Sequence, residues 1–358
     1  MRLRRSRKIA LGVGGVVAVV ATAVAVAYVR NDDPDPRLVE VADADKPAQS
    51  GAGSTLPPAA VPEDKASPTS ATTEPPADAS ADASADSSSP PPPGGFPNPA
   101  STGVPAGWQP AQTVSTDMEI RTPGTVVEDV RFTDSANILV FADNVTIRRV
   151  EMLGGFINNQ YGDAPVNCGH DMLVENVTFK QQPGQFVPSD YPVIGEGSFT
   201  ARAIEVDGRG EGVRMSDCGP VTLENSFLRI HGADEGTAAC DAVHSDGVQA
   251  YYGVGGTARN NTIIFETSCG TSPWFVVNPS INSGTYTIDR LLVSGGGYSF
   301  RQQVTASVTG LRIVNDAWVY GPTDQLDCSK LSGWDAKLVT IDANYQVSGV
   351  VGDQPCTS

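Results

Sequence analysis

Short segments in which apolar and polar residues alternate recur from Val127 onward. "VEDVRF", "IRRVEM" and "VENVTF" are three of them, and stretches such as "ARAIEVDG" and "DGVQAYY" lie between them. Alternation with a period of two predicts β-strands that bury one face. This part of the chain shows no stretch with the 3.6-residue period of an amphipathic helix. The pattern therefore predicts an all-β fold.

The alternating segments are repeats of one shape, separated by steps of 20 to 49 residues. Such a repeat predicts the stacked turns of a solenoid, and a β-sandwich is the alternative because its short strands are also regularly spaced. We expect Asn176, Asn225 and Asn260 to form a ladder at a corner of the stack. The equivalent polar position of the repeat is held by Asp129, Arg149, Asn176, Asn225, Asn260, Arg290 and Arg312.

Several longer motifs carry a resemblance to a known family. In chain order they are "FPNPASTGVPAGW", "RTPGTVVEDVRFTD", "ADNVTIRRVEM", "HSDGVQ", "NNTI" and "SGGGYSF". From Phe96 to about Tyr320 the chain resembles the exported right-handed parallel β-helix proteins of actinobacteria, in the pectin-lyase-like superfamily. The resemblance implies a single-stranded right-handed parallel β-helix. It implies no single activity, since the superfamily includes polysaccharide lyases, glycoside hydrolases and phage adhesins.

The N-terminal quarter of the chain has a different composition. Residues 1–30 begin with "MRLRRSRK", which an uncharged apolar run from Ile9 to Val29 follows. This pattern predicts a membrane anchor or a cleaved signal peptide, and either one exports the rest of the chain. Residues 31–95 are rich in Pro, Ala, Ser, Asp and Thr, which predicts a disordered linker. We therefore expect an extracellular protein, secreted or held at the cell surface, with its β-helix domain at residues 96–358.

Acidic residues outnumber basic ones. The net charge is −17, and from Phe96 onward there are 15 Lys plus Arg and 29 Asp plus Glu. This balance argues against nucleic acid, whose phosphates bind basic surfaces. It also disfavours a polyanionic ligand unless a cation or a local arginine cluster reverses the field. We expect Ca²⁺ to assist if the substrate is a polyuronate, and we expect a monomer whose partner is a polysaccharide or cell-wall glycan.

All six cysteines lie after Phe96. An even number of cysteines in an exported chain predicts disulfides. Zinc is the alternative, but the sequence has no paired CxxC motif. The predicted pairs are Cys168–Cys218, Cys240–Cys269 and Cys328–Cys356.

The segment "DAVHSDGVQAYYG", residues 241–253, concentrates groups that could carry a reaction. Two of its residues supply carboxyls, and its histidine is a base that titrates near neutral pH. A lyase needs a base and a means of neutralising the uronate carboxylate, whereas a hydrolase needs two carboxyls across the scissile bond. Two further carboxyls, in "ARAIEVDG", alternate outward and would lie beside Gln249 if the two strands stack as neighbours. The predicted catalytic residues are Asp246, His244, Asp241, Glu205 and Asp207.

Residues near these carboxyls are candidates for holding a sugar chain. Long insertions such as "KQQPGQFVPSDYPVIGEGSF" and "TSCGTSPWFVVNPS" bring aromatic rings, whose faces suit sugar rings. A structural interpretation stands beside this one, because Asp246 precedes a glycine, shares the alternation of inward Val248 and could cap a corner. We expect cleavage of an extracellular polysaccharide by lyase or hydrolase chemistry, with a non-catalytic glycan-binding protein as the alternative. The predicted substrate contacts are Gln249, Tyr251, Arg202, His231 and Trp274.

Overall fold

The chain alternates between two β-sheets. The computed structural model describes residues 95–161, 167–185, 191–232, 245–266 and 272–357, all within one unit, Ser80–Ser358. In this part of the chain the one helical segment is a 3-10 turn at Cys328–Lys330, and no helix is long and apolar enough to span a membrane. The predicted anchor at 1–30 and the predicted linker up to residue 94 lie outside the described residues.

Twenty-three strands occur among the described residues. The first twelve are β1 (Gln112–Val114), β2 (Met118–Ile120), β3 (Val126–Phe132), β4 (Ile138–Val140), β5 (Thr146–Leu153), β6 (Ile157–Asn158), β7 (Met172–Lys180), β8 (Ile194–Gly195), β9 (Phe199–Arg202), β10 (Glu205–Arg209), β11 (Val213–Arg214) and β12 (Val221–Glu224). The others are β13 (Phe227–Ile230), β14 (Asp246–Ala250), β15 (Gly255–Phe265), β16 (Ser272–Val276), β17 (Thr285–Ser294), β18 (Tyr298–Gln302), β19 (Ala306–Val314), β20 (Gly321–Asp324), β21 (Leu331–Ser332), β22 (Ala336–Ile341) and β23 (Val347–Asp353).

Strands β2, β4, β6, β8, β11, β14, β16, β18 and β20 form a nine-stranded sheet, here sheet B, and the other 14 form sheet A. The paired strands run parallel in both sheets, except that β22 and β23 are antiparallel. The prediction of an all-β fold is therefore confirmed. Parallel pairing is compatible with the predicted β-helix, whereas a β-sandwich is built from antiparallel strands.

Alternation along each strand fills the space between the sheets with apolar side chains. Ile204 and Val206 in β10, and Val248 and Ala250 in β14, are fully buried, as their alternation predicts. Burying one such valine or isoleucine contributes about 1.5–3 kcal/mol relative to leaving it exposed. The residues between them are half-buried and face outward.

Sheet A bends at one position in each successive turn of the chain. Most side chains disfavour the positive φ of this bend, whereas Asn and Asp tolerate it because their short polar side chains bond locally. Asn260 Nδ2 donates to Asn225 Oδ1 over 2.9 Å, so the predicted ladder joins these two residues. The bend residues are Asp129 (φ 57°), Arg149 (50°), Asn176 (52°), Ala203 (50°), Asn225 (52°), Asn260 (52°), Arg290 (60°) and Gly310 (65°).

The last bend corrects the predicted repeat. Leu291 pairs with Leu311, so Arg290 aligns with Gly310 and not with Arg312. Glycine adopts a positive φ without steric cost, and it has no polar side chain for a pattern of polar positions to detect.

Outward charges on sheet A alternate in sign from strand to strand. Arg148 lies 2.7 Å from Glu128, and Arg202 lies 2.6 Å from Glu175. Each exposed pair is worth little by itself, but opposite charges on adjacent strands favour one register. The pairing aligns Glu128, Arg148, Glu175, Arg202, Glu224, Arg259 and Asp289.

Residues 95–108, here the N-terminal strap, run along the outside of sheet A. At one end Arg290 donates to the carbonyl oxygen of Gly95 over 3.0 Å, and at the other Trp108 Nε1 donates to Asp129 Oδ1 over 3.0 Å. In between, Gly103 passes so close to Glu205 that a Cβ on the glycine would lie 2.6 Å from Glu205 Oε2. The strap therefore covers the outward side of β10.

Two of the three predicted disulfides are confirmed. Cys168–Cys218 and Cys328–Cys356 are bonded, with Cα atoms 5.7 and 5.9 Å apart. The third predicted pair, Cys240–Cys269, lies outside the described residues. Disulfides persist in oxidising compartments, so the two bonds are compatible with an extracellular protein.

Candidate functional site

Sheet B carries a row of outward polar and aromatic side chains that the register places side by side. Arg214 pairs with Gln249, Gln249 with Phe275, Phe275 with Arg301, and Arg301 with Asp324. All five are half-buried, while the residues before them on β11, β14, β16 and β18 are buried in the core. We call these five residues the sheet-B row.

Two neighbouring strands reach this row through the same four-residue pattern. Residues 211–214 read "EGVR" and residues 246–249 read "DGVQ", and they pair through Val213 and Val248. A Cβ on Gly212 would lie 2.0 Å from the carbonyl oxygen of Gly247, so glycine is required for this close approach. The pattern places Glu211, just before β11, next to Asp246, the first residue of β14.

Arg214 is held by two carboxylates. Its Nη2 donates to Glu211 Oε1 and Oε2 over 3.0 and 3.2 Å, and its Nη1 lies 3.7 Å from Glu196 Oε1. Burial alone would lower the pKa of the Arg214 guanidinium, but the charges of Glu211 and Glu196 outweigh burial and raise it. Arg214 is therefore a permanent cation with a fixed orientation, and its side chain is 28% exposed.

Asp246 supports Gln249, the second residue of the row. Its Oδ2 accepts from Gln249 Nε2 and its Oδ1 from the backbone N–H of Ser272, both over 3.0 Å. The Asp246 side chain is 1% exposed. Burial and the nearby Glu211 raise the pKa of Asp246 well above its usual range, against the opposing effects of Gln249, Ser272 and Arg301. One of these two hydrogen bonds comes from Gln249, a side chain of the sheet-B row, so Asp246 does more than cap the backbone.

The raised pKa of Asp246 predicts a pH-dependent stability. The folded protein binds this proton more tightly than the unfolded chain, so Asp246 lowers the free energy of unfolding as pH rises above about 4 toward its folded pKa. Asp246→Asn should remove this decline, and the stability difference between variant and wild type should grow with pH. Urea unfolding between about pH 4 and pH 8 measures it.

Asp353 provides the control with the opposite sign. Its hydrogen bond to Lys337 lowers the pKa of its exposed carboxyl, so Asp353→Asn should lose a small stabilisation as pH rises. A difference that does not change with pH for Asp246→Asn would show that this carboxyl has an ordinary pKa.

Glu196 lies beside Arg214 at the margin of the row. Its backbone N–H donates to Asn159 Oδ1, and its side chain is 13% exposed. Burial, together with the charge of Asp217, raises the pKa of Glu196, while Arg214 opposes this effect. A partly accessible carboxyl with a raised pKa is a stronger base than an exposed one, and it can hold or release a proton nearer neutral pH.

Aromatic rings surround the other arginine of the row. The Arg301 guanidinium lies 5.4 Å from the centre of the Phe275 ring and 4.8 Å from that of Tyr298. Tyr320, 57% exposed, packs on Tyr298 with ring centres 5.6 Å apart. Arg301 also lies 3.3 Å from Asp324. This end of the row places aromatic ring faces beside a cation.

The structure does not bring Glu205 and Asp207 to this site. Their strand, β10, pairs with β7 and β13 in sheet A, whereas Gln249 lies in sheet B. The expectation that they lie beside Gln249 is therefore wrong, because the chain changes sheet between the two segments. Glu205 lies under the strap, where burial raises its pKa and Thr178 donates to it over 3.2 Å; Asp207 pairs with Arg229.

Two predicted substrate contacts, Trp274 and Arg202, do not face the sheet-B row. Trp274 is 1% exposed; its Nε1 donates to Gln302 over 2.8 Å and its ring stacks on Phe300. This burial corrects the expectation that Trp274 faces a ligand, and Phe275, the next residue, has the outward position. Arg202 faces outward on sheet A within the alternating charges, between Glu175 and Glu224.

Of the remaining predicted residues, Tyr251 lies at the end of a sheet-B strand and His231 at the end of a sheet-A strand. Tyr251 follows β14 and packs on Tyr252 with ring centres 5.3 Å apart. His231 begins the connection from β13 to β14, with its Nδ1 3.5 Å from Glu266. Asp241 and His244 lie in that connection, outside the described residues.

Sequence reasoning missed Glu196, Glu211, Arg214 and Arg301. The signal for two of them was present, because "EGVR" matches "DGVQ" position by position. The charges around Arg214 are also arranged differently from those of sheet A. On sheet A opposite charges alternate, whereas three acids gather around Arg214 on sheet B.

Comparisons of the chain with protein-family models, with curated proteins and with solved structures find no match.

The expectation of Ca²⁺ rested on the acidic domain and on few arginines or lysines near the predicted carboxyls, and Arg214 and Arg301 lie close enough to Asp246 to act on its charge. Glu211 is occupied by Arg214 through both oxygens, which leaves a poor set of donors for a cation. The described residues contain no group of three or more His, Cys, Asp or Glu that could hold a metal ion.

Proposed function

We propose that the described strands form a single-stranded right-handed parallel β-helix of the pectin-lyase-like superfamily and that the protein is exported. Three features support the proposal: the alternation of the chain between two parallel sheets, the bend that recurs at one position of sheet A, and the two disulfides. Handedness is part of the proposal, since a strand, crossover and parallel strand in the same sheet are right-handed in nearly all proteins.

We further propose that the sheet-B row binds and cleaves an extracellular polysaccharide that contains uronate. The observation that carries this proposal is the pair of arginines on one outward row, with Gln249 and Phe275 between them. Planar guanidinium groups bind carboxylates through paired hydrogen bonds.

The chemistry that fits these groups is β-elimination. Arg214 neutralises the carboxylate of the uronate that reacts, and Glu196, which lies beside Arg214, is the candidate base that takes its C5 proton. Arg301, three strand spacings or about 14 Å along the row, binds the carboxylate of another uronate of the same chain. The C4–O bond then breaks, a C4=C5 double bond forms, and the leaving oxygen takes up a proton. A positioned base typically contributes about 100- to 10,000-fold to the rate. Calcium enters no step of this proposal.

Hydrolysis fits less well. It needs two carboxyls facing each other across the scissile bond, but Glu211 and Asp246 are each 1% exposed and hold Arg214 and Gln249. Direct catalytic roles for Asp246, Asp241 and His244 remain predictions.

The second candidate is a non-catalytic glycan-binding protein. The burial of Glu211 and Asp246 favours it. These two acids then orient Arg214 and Gln249 on a binding surface and do not contact the ligand themselves.

The arginine proposal is tested with a panel of neutral and uronate polysaccharides, measuring binding, unsaturated ends and reducing ends. Wild type should bind uronate chains and release unsaturated ends. Arg301→Gln removes a charged hydrogen-bond donor, worth about 1.5–3 kcal/mol, and should weaken binding by about 10- to 100-fold.

Arg229→Gln is the matched control, because Arg229 is also paired with acids but lies on sheet A. It should bind as wild type does. Binding without any cleavage would favour the glycan-binding candidate, and equal binding by wild type and Arg301→Gln would contradict the proposed role of the row.

A further inference from the structure

A second aromatic pair lies on the outward side of sheet B, beyond the Arg214 end of the sheet-B row. Phe156 precedes β6 and Tyr191 lies shortly before β8; their ring centres are 5.9 Å apart and their planes are 14° from parallel. Tyr191 is 51% exposed, while Ile157, the neighbour of Phe156, is fully buried. Alternation therefore turns Phe156 outward. The two strands that the pair precedes, β6 and β8, lead directly to β11 and Arg214.

The backbone beneath this pair is anchored. Arg209 is only 4% exposed, and its Nη1 donates to the carbonyl oxygen of Gly155 over 2.9 Å. The N–H of Phe156 donates to Asn137 Oδ1 over 3.1 Å. Both hydrogen bonds fix the peptide that carries the Phe156 ring. A surface fixed before binding loses little conformational freedom when a ligand arrives.

We propose that Phe156 and Tyr191 form a remote subsite, which stacks against a sugar ring of the same chain that the sheet-B row binds. The proposal rests on the function proposed above. From β8 to β18, sheet B runs through β11, β14 and β16, which at the usual strand spacing is about 19 Å. Aromatic rings then lie at both ends of this stretch, with Arg214 and Gln249 between them. The polysaccharide chain crosses the strands, and long chains bind better than short ones.

Oligogalacturonides of graded length are the probe, and affinity is measured by titration calorimetry with the full chain. Tyr191→Ala removes the exposed ring, and an aromatic contact is worth about 0.5–1.5 kcal/mol, so affinity for long oligomers should fall by about 3- to 10-fold. Affinity for the disaccharide should not change. Tyr345→Ala is the control, because Tyr345 also packs on a phenylalanine, Phe227, but belongs to the turn between β22 and β23.

Each outcome decides a different claim. Unchanged affinity in Tyr191→Ala, with weakened affinity in Arg301→Gln, would overturn the remote subsite and leave the sheet-B row in place. An equal loss for the disaccharide and for long oligomers would place Tyr191 inside the central site and overturn its remote position. Absence of binding by wild type at every length would overturn both the subsite and the proposed function.

Discussion

Glu196→Gln should lower turnover on a uronate polysaccharide by about 100- to 10,000-fold while leaving the fold intact, because glutamine keeps the shape of glutamate but cannot accept the C5 proton. Glu211 still pairs with Arg214 in this variant, so the guanidinium keeps its main support. The raised pKa of Glu196 also predicts where activity begins. The base works when it is ionised, so activity should rise with pH through a pKa above that of an ordinary glutamate.

Glu175→Gln is the matched control. Glu175 also pairs with an arginine, Arg202, but on sheet A. Its loss should leave turnover at the wild-type value. The measurement is the initial rate of unsaturated-end formation across pH, with circular dichroism to confirm folding. A Glu196→Gln variant with wild-type turnover would remove this residue from the proposed mechanism.

Trp274→Ala should destabilise the protein by about 3–5 kcal/mol, the usual cost of truncating a fully buried aromatic residue. The variant loses the stacking on Phe300 and leaves Gln302 without the indole N–H that donates to it. Trp274 lies between Val248 and Phe300 in the pairing of sheet B. The packing that the variant loses is therefore directly beneath the sheet-B row.

Urea unfolding measures this loss, and Trp108→Ala is the comparison. Trp108 is half-buried in the strap and contacts Asp129 and Arg131 at the surface, so its removal should cost clearly less. If Trp274 contacted ligand and not the core, Trp274→Ala would keep wild-type stability and lose affinity. That result would contradict its burial.

Three bends of sheet A were predictable because asparagine, which tolerates a positive φ, marks them. Asn176, Asn225 and Asn260 recur at one position of the repeat and share a φ of 52°. Where a residue without a polar side chain holds the bend, at Ala203 and Gly310, the pattern failed. Inward and outward positions within one strand were also predictable, as Val248 and Gln249 show.

The site was predicted only in part, for two physical reasons. Alternation tells which side of a strand a residue faces but not which sheet the strand joins, so it could not show that Glu205 and Gln249 belong to different sheets. In "SPWFV" two aromatic residues are adjacent, and either could have been the outward one. The core has room for Trp274, whose N–H finds Gln302, and Phe275 takes the surface.

A crystal structure of the protein with a bound oligogalacturonide tests the central claim most directly. We expect a uronate carboxylate within hydrogen-bond distance, about 2.7–3.2 Å, of the guanidinium of Arg214 or Arg301, with a sugar ring against Phe275. A ligand bound on sheet A or along the N-terminal strap, with the sheet-B row empty, would contradict the account.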